Sequence, residues 1–189
     1  MHLFSRTSRN LQIGLDGIHI LRDFHPVSAH DEWLLSELGK YYAEGRQHLW
    51  LPKCLPLCFH EQEIHNLTTT VGRNFLAAIL CNTATETNKY VNYFAIGTNN
   101  TPAAVGDTTL GTESYRKVVS SAAAASAVAN ISTFLAASEG NSTWEEFGHF
   151  IDGTASANTG TLLSHVSQTV TKASPNTKTI DSTYTFSDA

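Results

Sequence analysis

The residues with the clearest potential for chemistry are two cysteines and a histidine in one short segment. Three residues separate Cys54 from Cys58, His60 follows two positions later, and His65 is close behind. Zinc takes thiolate and imidazole ligands in tetrahedral geometry, but structural sites normally supply four ligands and favour two residues between paired cysteines. No second cysteine pair follows, so packed, metal-free cysteines are the alternative. We predict no cofactor and keep zinc at Cys54, Cys58 and His60 as an open hypothesis.

Patterns typical of catalysis are absent from the rest of the sequence. It has no Gly-x-Ser-x-Gly nucleophile turn, no HExxH and no phosphate-binding loop. Glu145 and Glu146 look like an acid/base pair, but neighbouring residues on a strand point to opposite faces of the sheet. The sequence therefore predicts a protein that is not an enzyme, and a glycan hydrolase remains the enzymatic alternative.

Composition narrows the class of protein further. Among 189 residues, 12 are Lys or Arg and 17 are Asp or Glu, giving a net charge of −5. Nucleic-acid binding is not predicted, because phosphate contacts need clustered cations. Residues 118–138 carry no charge, but serine, threonine and asparagine interrupt them, so no membrane span is predicted. The first 21 residues lack the continuous apolar region of a secretory signal.

Side-chain type divides the chain near Asn66. Residues 1–66 contain seven of the nine histidines and five serines or threonines, whereas residues 67–189 contain 35 serines or threonines. Threonine favours strands, and the glycine, asparagine and proline scattered among them favour turns. We therefore predict an α+β N-terminal arm or small docking module over residues 1–60, followed by a helix and a β-sandwich domain over residues 61–189.

Local patterns predict the elements of the first part. Residues 10–22 alternate in polarity on both sides of Asp16-Gly17, which indicates a β-hairpin. An apolar stripe with helical spacing predicts a helix over residues 30–44 and another over residues 66–81. Residues 51–57 are predicted to be extended, because each proline disfavours helix in the residue before it.

From residue 89 onward the pattern is that of strands. Six are predicted, separated by segments rich in glycine, asparagine, aspartate or proline, at residues 90–96, 114–121, 127–135, 143–151, 161–171 and 177–187. This spacing is typical of a sandwich or barrel. The predicted fold is mainly β: an antiparallel sandwich, Ig-like or jelly-roll-like, preceded by a helix.

An ordered series of motifs resembles a small β-domain found in structural proteins of tailed bacteriophages. The family pattern is an aromatic-x-Ala-Ile-Gly-Thr strand end, then Pro, Asp-Thr-x-Leu and Glu-x-x-Arg. It is matched here by Gly97, Pro102, Asp107, Thr108, Glu113 and Arg116. Later matches are a Glu-x-Gly-x-Phe strand with Gly148 and a Gly-Thr-x-Leu-x-His-Val strand ending at Val166. The similarity covers residues 61–189.

Two departures from the family pattern stand out. Asn99 lies where the family usually has a second glycine, and residues 122–126 replace a polar hairpin turn. The physical roles expected of the motif are structural: Gly97 for a sharp turn, Asp107-Thr108 for a side-chain-stabilised turn, and an ion pair between Glu113 and Arg116. Gly148 is expected to mark a close backbone approach or a bulge.

The resemblance implies a non-enzymatic component of a tailed-phage particle, acting through protein–protein contacts. We expect a tail-associated position, as a fibre, collar or adaptor in the tail or neck, with capsid decoration as the alternative. A carbohydrate- or receptor-binding module that contacts a host glycan is a further alternative, using Trp144, Tyr90 and Tyr93 to stack on sugar rings.

Four aromatic residues of the N-terminal part are predicted to anchor contacts with other proteins: Trp33, Tyr41, Tyr42 and Trp50. Buried aromatics dominate the energy of protein interfaces. The expected partners are other virion proteins and copies of this chain in a homo-oligomer, because virions use symmetric copies.

Overall fold

The computed structural model describes residues 13–81 and 83–188, which form two antiparallel five-stranded sheets. The first sheet has the order β2-β1-β10-β7-β6 and the second the order β3-β9-β8-β4-β5. The strands are β1 (Ile13–Phe24), β2 (Cys58–His65), β3 (Leu67–Thr68), β4 (Val91–Gly97), β5 (Glu113–Val118), β6 (Ser121–Ala125), β7 (Val128–Leu135), β8 (Ser142–Ile151), β9 (Thr161–Lys172) and β10 (Thr177–Asp188). The predicted antiparallel sandwich is confirmed.

Three α-helices lie between the early strands: α1 (Ala29–Ala43), α2 (Leu51–Cys54) and α3 (Thr70–Leu80). Ser28 caps α1 by accepting a hydrogen bond from the Asp31 amide, and Thr69 caps α3 by accepting one from the Gly72 amide. Both predicted long helices are confirmed, although α3 begins at Thr70 because the two residues of β3 precede it. No helix in the described part of the chain is long and apolar enough to cross a membrane.

The main core lies between the two sheets. Leu21 and Ile180 of the first sheet pack there against Phe94, Trp144 and Phe147 of the second. A second cluster joins α1 to the face of the first sheet that points away from this core, with Leu38 of α1 beside Phe134 of β7. The helical segment is therefore an outer layer on the sandwich.

The hairpin predicted at Asp16-Gly17 is wrong, because β1 runs through these residues without a turn. All 12 of its residues pair with β10, from Ile13 opposite Asp188 to Phe24 opposite Thr177. β1 also pairs with β2, so the first sheet crosses the boundary drawn at residue 60. β1 and the first residues of β2 precede that boundary, and both strands are part of the sandwich. The segment before the boundary that lies outside the sandwich is the helical layer of residues 29–57.

The extended segment predicted over residues 51–57 is also wrong. Residues 51–54 form α2, and Leu55–Leu57 form one turn of 3-10 helix. Each proline lies in the first turn of its helix, where its missing N–H is not needed. The strand predicted over residues 114–121 ends earlier, as β5, and residues 121–125 form an additional strand, β6, which belongs to the other sheet.

Candidate functional site

The motif of residues 97–116 surrounds the buried carboxylate of Glu146 on β8. Its side chain is 1 % exposed and accepts hydrogen bonds from the amides of Gly111 (2.8 Å), Thr112 (2.7 Å) and Asn99 (3.3 Å). These amides belong to the long loop between β4 and β5, residues 98–112, which we call the motif loop. At Gly97, where that loop begins, a side chain would overlap the Glu146 carboxylate and the Thr112 carbonyl. Glu146 thus holds both ends of the loop, and Gly97 leaves room for it.

His165 on β9 joins this carboxylate to a second one. Its Nε2 lies 3.0 Å from Glu146 Oε2, and its Nδ1 lies 2.7 Å from Asp107 Oδ2. Both ring nitrogens of His165 therefore face carboxylate oxygens. Partial burial alone would raise the pKa of Asp107, but the Ala104 amide and His165 together hold it below its ordinary value.

The expected side-chain-stabilised turn is present at Asp107, whose Oδ2 accepts a hydrogen bond from the Ala104 amide at 2.7 Å. Pro102 and Thr108 are exposed and line a shallow polar groove over His165 and Glu146. The loop is therefore anchored from below by charged side chains, and its exposed surface carries the proline and threonine of the motif.

Glu113 and Arg116 form the predicted ion pair, with two contacts of 2.5 and 2.8 Å. Arg116 also donates to the carbonyls of Thr154 and Thr159, and Glu113 accepts from the Asn158 amide. These partners belong to the loop between β8 and β9. The pair therefore fixes that neighbouring loop, and Asn158 links it to the motif loop by accepting a hydrogen bond from the Leu110 amide.

Gly148 on β8 lies at a close backbone approach, as predicted. A Cβ atom there would overlap the carbonyl oxygen of Ser164 on β9. We expect Gly148→Ala to reduce the free energy of unfolding by about 1–3 kcal/mol, because the strands must shift to accommodate it. Urea denaturation would measure this, with Gly106→Ala as control since open space surrounds that position. Equal effects of the two substitutions would contradict the assignment.

The predicted interface aromatics separate into a surface group and one buried residue. Trp33, Tyr41 and Trp50 form what we call the aromatic patch: Trp50 stacks on Tyr41 at 5.0 Å between ring centroids and meets Trp33 edge-on at 5.8 Å. Trp33 is 50 % exposed. Tyr42 cannot anchor a partner, because it is fully buried under α1 and donates a hydrogen bond to Asp181 at 2.7 Å.

The three residues of the zinc hypothesis face different neighbours. Cys54 is buried with its Sγ 3.6 Å from the Leu34 carbonyl oxygen, and burial raises the pKa of this thiol to about 11. Cys58 contacts the His60 carbonyl oxygen, whereas the His60 ring faces Asp23. Among the described residues, no group of three or more histidine, cysteine or acidic side chains is placed to hold a metal ion.

The aromatic set proposed for stacking on sugars does not assemble on the surface. Trp144 is fully buried in the main core, and its indole N–H donates to the Gly140 carbonyl at 2.8 Å. Tyr93 lies beneath the Arg116 guanidinium, and Tyr90, which precedes β4, is 59 % exposed. Trp144 therefore stabilises the fold.

The sequence interpretation missed the anchoring roles of Glu146 and His165. Both lie inside motif strands that the resemblance had already marked, so their positions were the available signal. A comparison with protein-family models, one with curated proteins and one with solved structures each find no match to this chain.

Proposed function

We propose that this protein is a non-enzymatic structural component of a tailed-phage particle, acting through protein–protein contacts in the tail or neck. The observation that carries the proposal is the aromatic patch, a group of large rings on the outer helical layer in which Trp33 is exposed and Tyr41 and Trp50 are partly exposed. Such rings bind partners strongly because they bury much area at little entropic cost. The phage assignment itself rests on the resemblance of residues 61–189.

The surroundings of the aromatic patch support a role in binding protein. Lys53 Nζ lies 3.7 Å from the centroid of the Trp50 ring, and Arg46 Cζ lies 5.5 Å from the centroid of the Tyr41 ring. These cation–π contacts help to hold the two rings in place. Leu49 and Leu55 add exposed apolar area, at 48 % and 45 % exposure. An apolar centre bordered by charged side chains is typical of interfaces.

The internal role of the motif side chains also supports a structural function. Glu146, His165 and Asp107 hydrogen-bond to one another and to loop amides, and Glu113 and Arg116 do the same around the next loop. Charged groups used in this way fix the shape of the surface that a neighbour meets. Their arrangement needs no substrate.

A particle-incorporation experiment tests the proposal. A phage lacking this gene would be grown on cells that supply the wild-type protein, Trp33→Ala or Phe59→Ala, and purified particles would be assayed by immunoblot. We expect Trp33→Ala to be incorporated at least tenfold less, since an interface anchor is worth about 2 kcal/mol or more. Phe59, which is 60 % exposed but outside the patch, provides the matched control.

Antibody labelling of the same particles distinguishes the alternatives by position. Label on the tail or neck supports the proposal, and label over the head supports capsid decoration. Absence of the wild-type protein from purified particles would contradict both.

A further inference from the structure

Strand β6 is an edge of the first sheet that lacks the usual protection against pairing. It consists of Ser121 and four alanines, and all four alanines are exposed. In the sheet order β6 is terminal, with β7 as its neighbour. Alternate residues of such a strand direct their N–H and C=O groups away from the sheet, where another strand can bind them.

The other long edge strands carry charges. β2 contains His60, Glu61, Glu63 and His65, and β5 contains Glu113, Arg116 and Lys117. Charged side chains on an edge discourage pairing with another sheet. β6 has no charged residue, so it is the edge best suited to accept a strand.

The surface beside β6 is apolar. A groove of about 290 Å³ opens next to Ala122–Ala124 and is lined mainly by carbon atoms of α3, β4, β7 and β10. Tyr90 and Phe186 on its lining are 59 % and 40 % exposed. Covering this surface removes apolar area from water, which favours association at this edge.

β6 also coincides with a departure from the phage-like pattern. Residues 122–126 stand where the family has a polar hairpin turn, whereas here the strand continues to Ala125 and the turn falls at Ser126-Ala127. Ser126 adopts a left-handed conformation, with φ of 55°, to close this turn. The exposed edge is thus a feature of this chain rather than of the motif.

We propose that β6 pairs antiparallel with β6 of a second copy of this chain, joining the two first sheets into one ten-stranded sheet. A two-fold axis pairs the strand with its own copy running in the opposite direction, so on a charged edge any like charges that fall opposite each other repel. An alanine strand avoids that repulsion, and its small side chains let the two backbones approach. This inference stands on the edge and the groove and is independent of the aromatic patch.

Sedimentation equilibrium of the purified full chain over a range of concentrations tests this pairing. We expect the wild type to form dimers and Ala123→Lys to raise the dimer dissociation constant at least tenfold. Ala123 is exposed opposite Asn130, whereas Ala122 faces the buried Ile131, so the new lysine points outward without disturbing the core. Ala155→Lys, in the exposed loop after β8, is the matched control and should dimerise like the wild type.

Disulfide trapping provides a second readout that does not depend on a destabilising charge. In a background that carries Cys58→Ser and Cys81→Ser and keeps only the buried Cys54, cysteines introduced one at a time at positions 122 to 125 are expected to give covalent dimers on oxidation, most strongly at the position nearest the two-fold axis. Gln62→Cys on the β2 edge should give none. A monomeric wild type, a dimer that Ala123→Lys leaves unchanged, or stronger trapping at position 62 would each overturn the proposal.

Discussion

Replacing Glu146 with alanine is expected to lower the free energy of unfolding by about 3–5 kcal/mol, because it removes a buried carboxylate and leaves several buried hydrogen-bond donors without their acceptor. The His165 ring would lose the carboxylate 3.0 Å from its Nε2. The amides of Gly111 and Thr112 would lose their acceptor as well. Urea denaturation at neutral pH measures the effect directly.

Glu145→Ala is the matched control for this experiment. Glu145 is the preceding residue of β8, but it is partly exposed and accepts a hydrogen bond from the Thr169 hydroxyl at 2.7 Å. We expect a change below about 1 kcal/mol for this substitution. Hydrogen exchange should show that Glu146→Ala selectively loses protection over residues 98–112. Similar stability losses for both variants, or a motif loop that stays protected without Glu146, would contradict its assigned anchoring role.

The later strands could be predicted from sequence because their pattern is local. Alternating apolar residues and threonines mark each strand, and glycine or asparagine marks the turns, so no knowledge of distant partners is needed. The predicted strand at residues 161–171 is β9, Thr161–Lys172, and the one at residues 177–187 is β10, Thr177–Asp188. The sandwich architecture follows from such a succession of strands.

The first strand could not be predicted in the same way, because a distant partner overrides its local signal. Asp16-Gly17 is a strong turn pair between two alternating runs. In the structure Asp16 pairs with Thr185 and Gly17 with Tyr184, so the ladder with β10 outweighs the turn preference. Glycine at position 17 is explained by packing and not by a turn, since a side chain there would overlap Asn66. Nothing in the sequence near residue 16 indicates that this segment pairs with a strand almost 170 residues away.

In the candidate site, too, some contacts could be predicted from the sequence and others depend on distant partners. The pairing of Glu113 with Arg116 was expected because both belong to the Glu-x-x-Arg part of the motif. Glu146 lies 35 residues from Gly111 and 19 from His165, and sheet pairing brings them together. In the sequence it could be seen that Glu146 and Glu145 occupy opposite faces, but not that one of these faces lies against the motif loop.

Two histidines are buried between the sheets. His19 of β1 and His149 of β8 are fully buried, with ring centroids 5.4 Å apart. His19 Nδ1 lies 2.7 Å from the Ser182 hydroxyl, and His149 Nδ1 lies 2.9 Å from the Tyr184 hydroxyl. Burial lowers the pKa of His19 to about 3 and holds that of His149 well below its ordinary value. Both rings are therefore neutral in the folded protein.

Acid is expected to destabilise this protein through these two rings. Because their pKa values are lower folded than unfolded, the unfolded chain binds more protons below about pH 6.5, and stability falls as the pH drops through that value. Each ring contributes a slope of up to about 1.4 kcal/mol per pH unit between about pH 6 and 4. Denaturant unfolding at several pH values should therefore show that His19→Asn has a shallower slope by about that amount, whatever its stability at pH 7. His48→Gln, at an exposed position, should keep the wild-type slope. An unchanged slope in His19→Asn would mean that protonation of His19 is not coupled to unfolding.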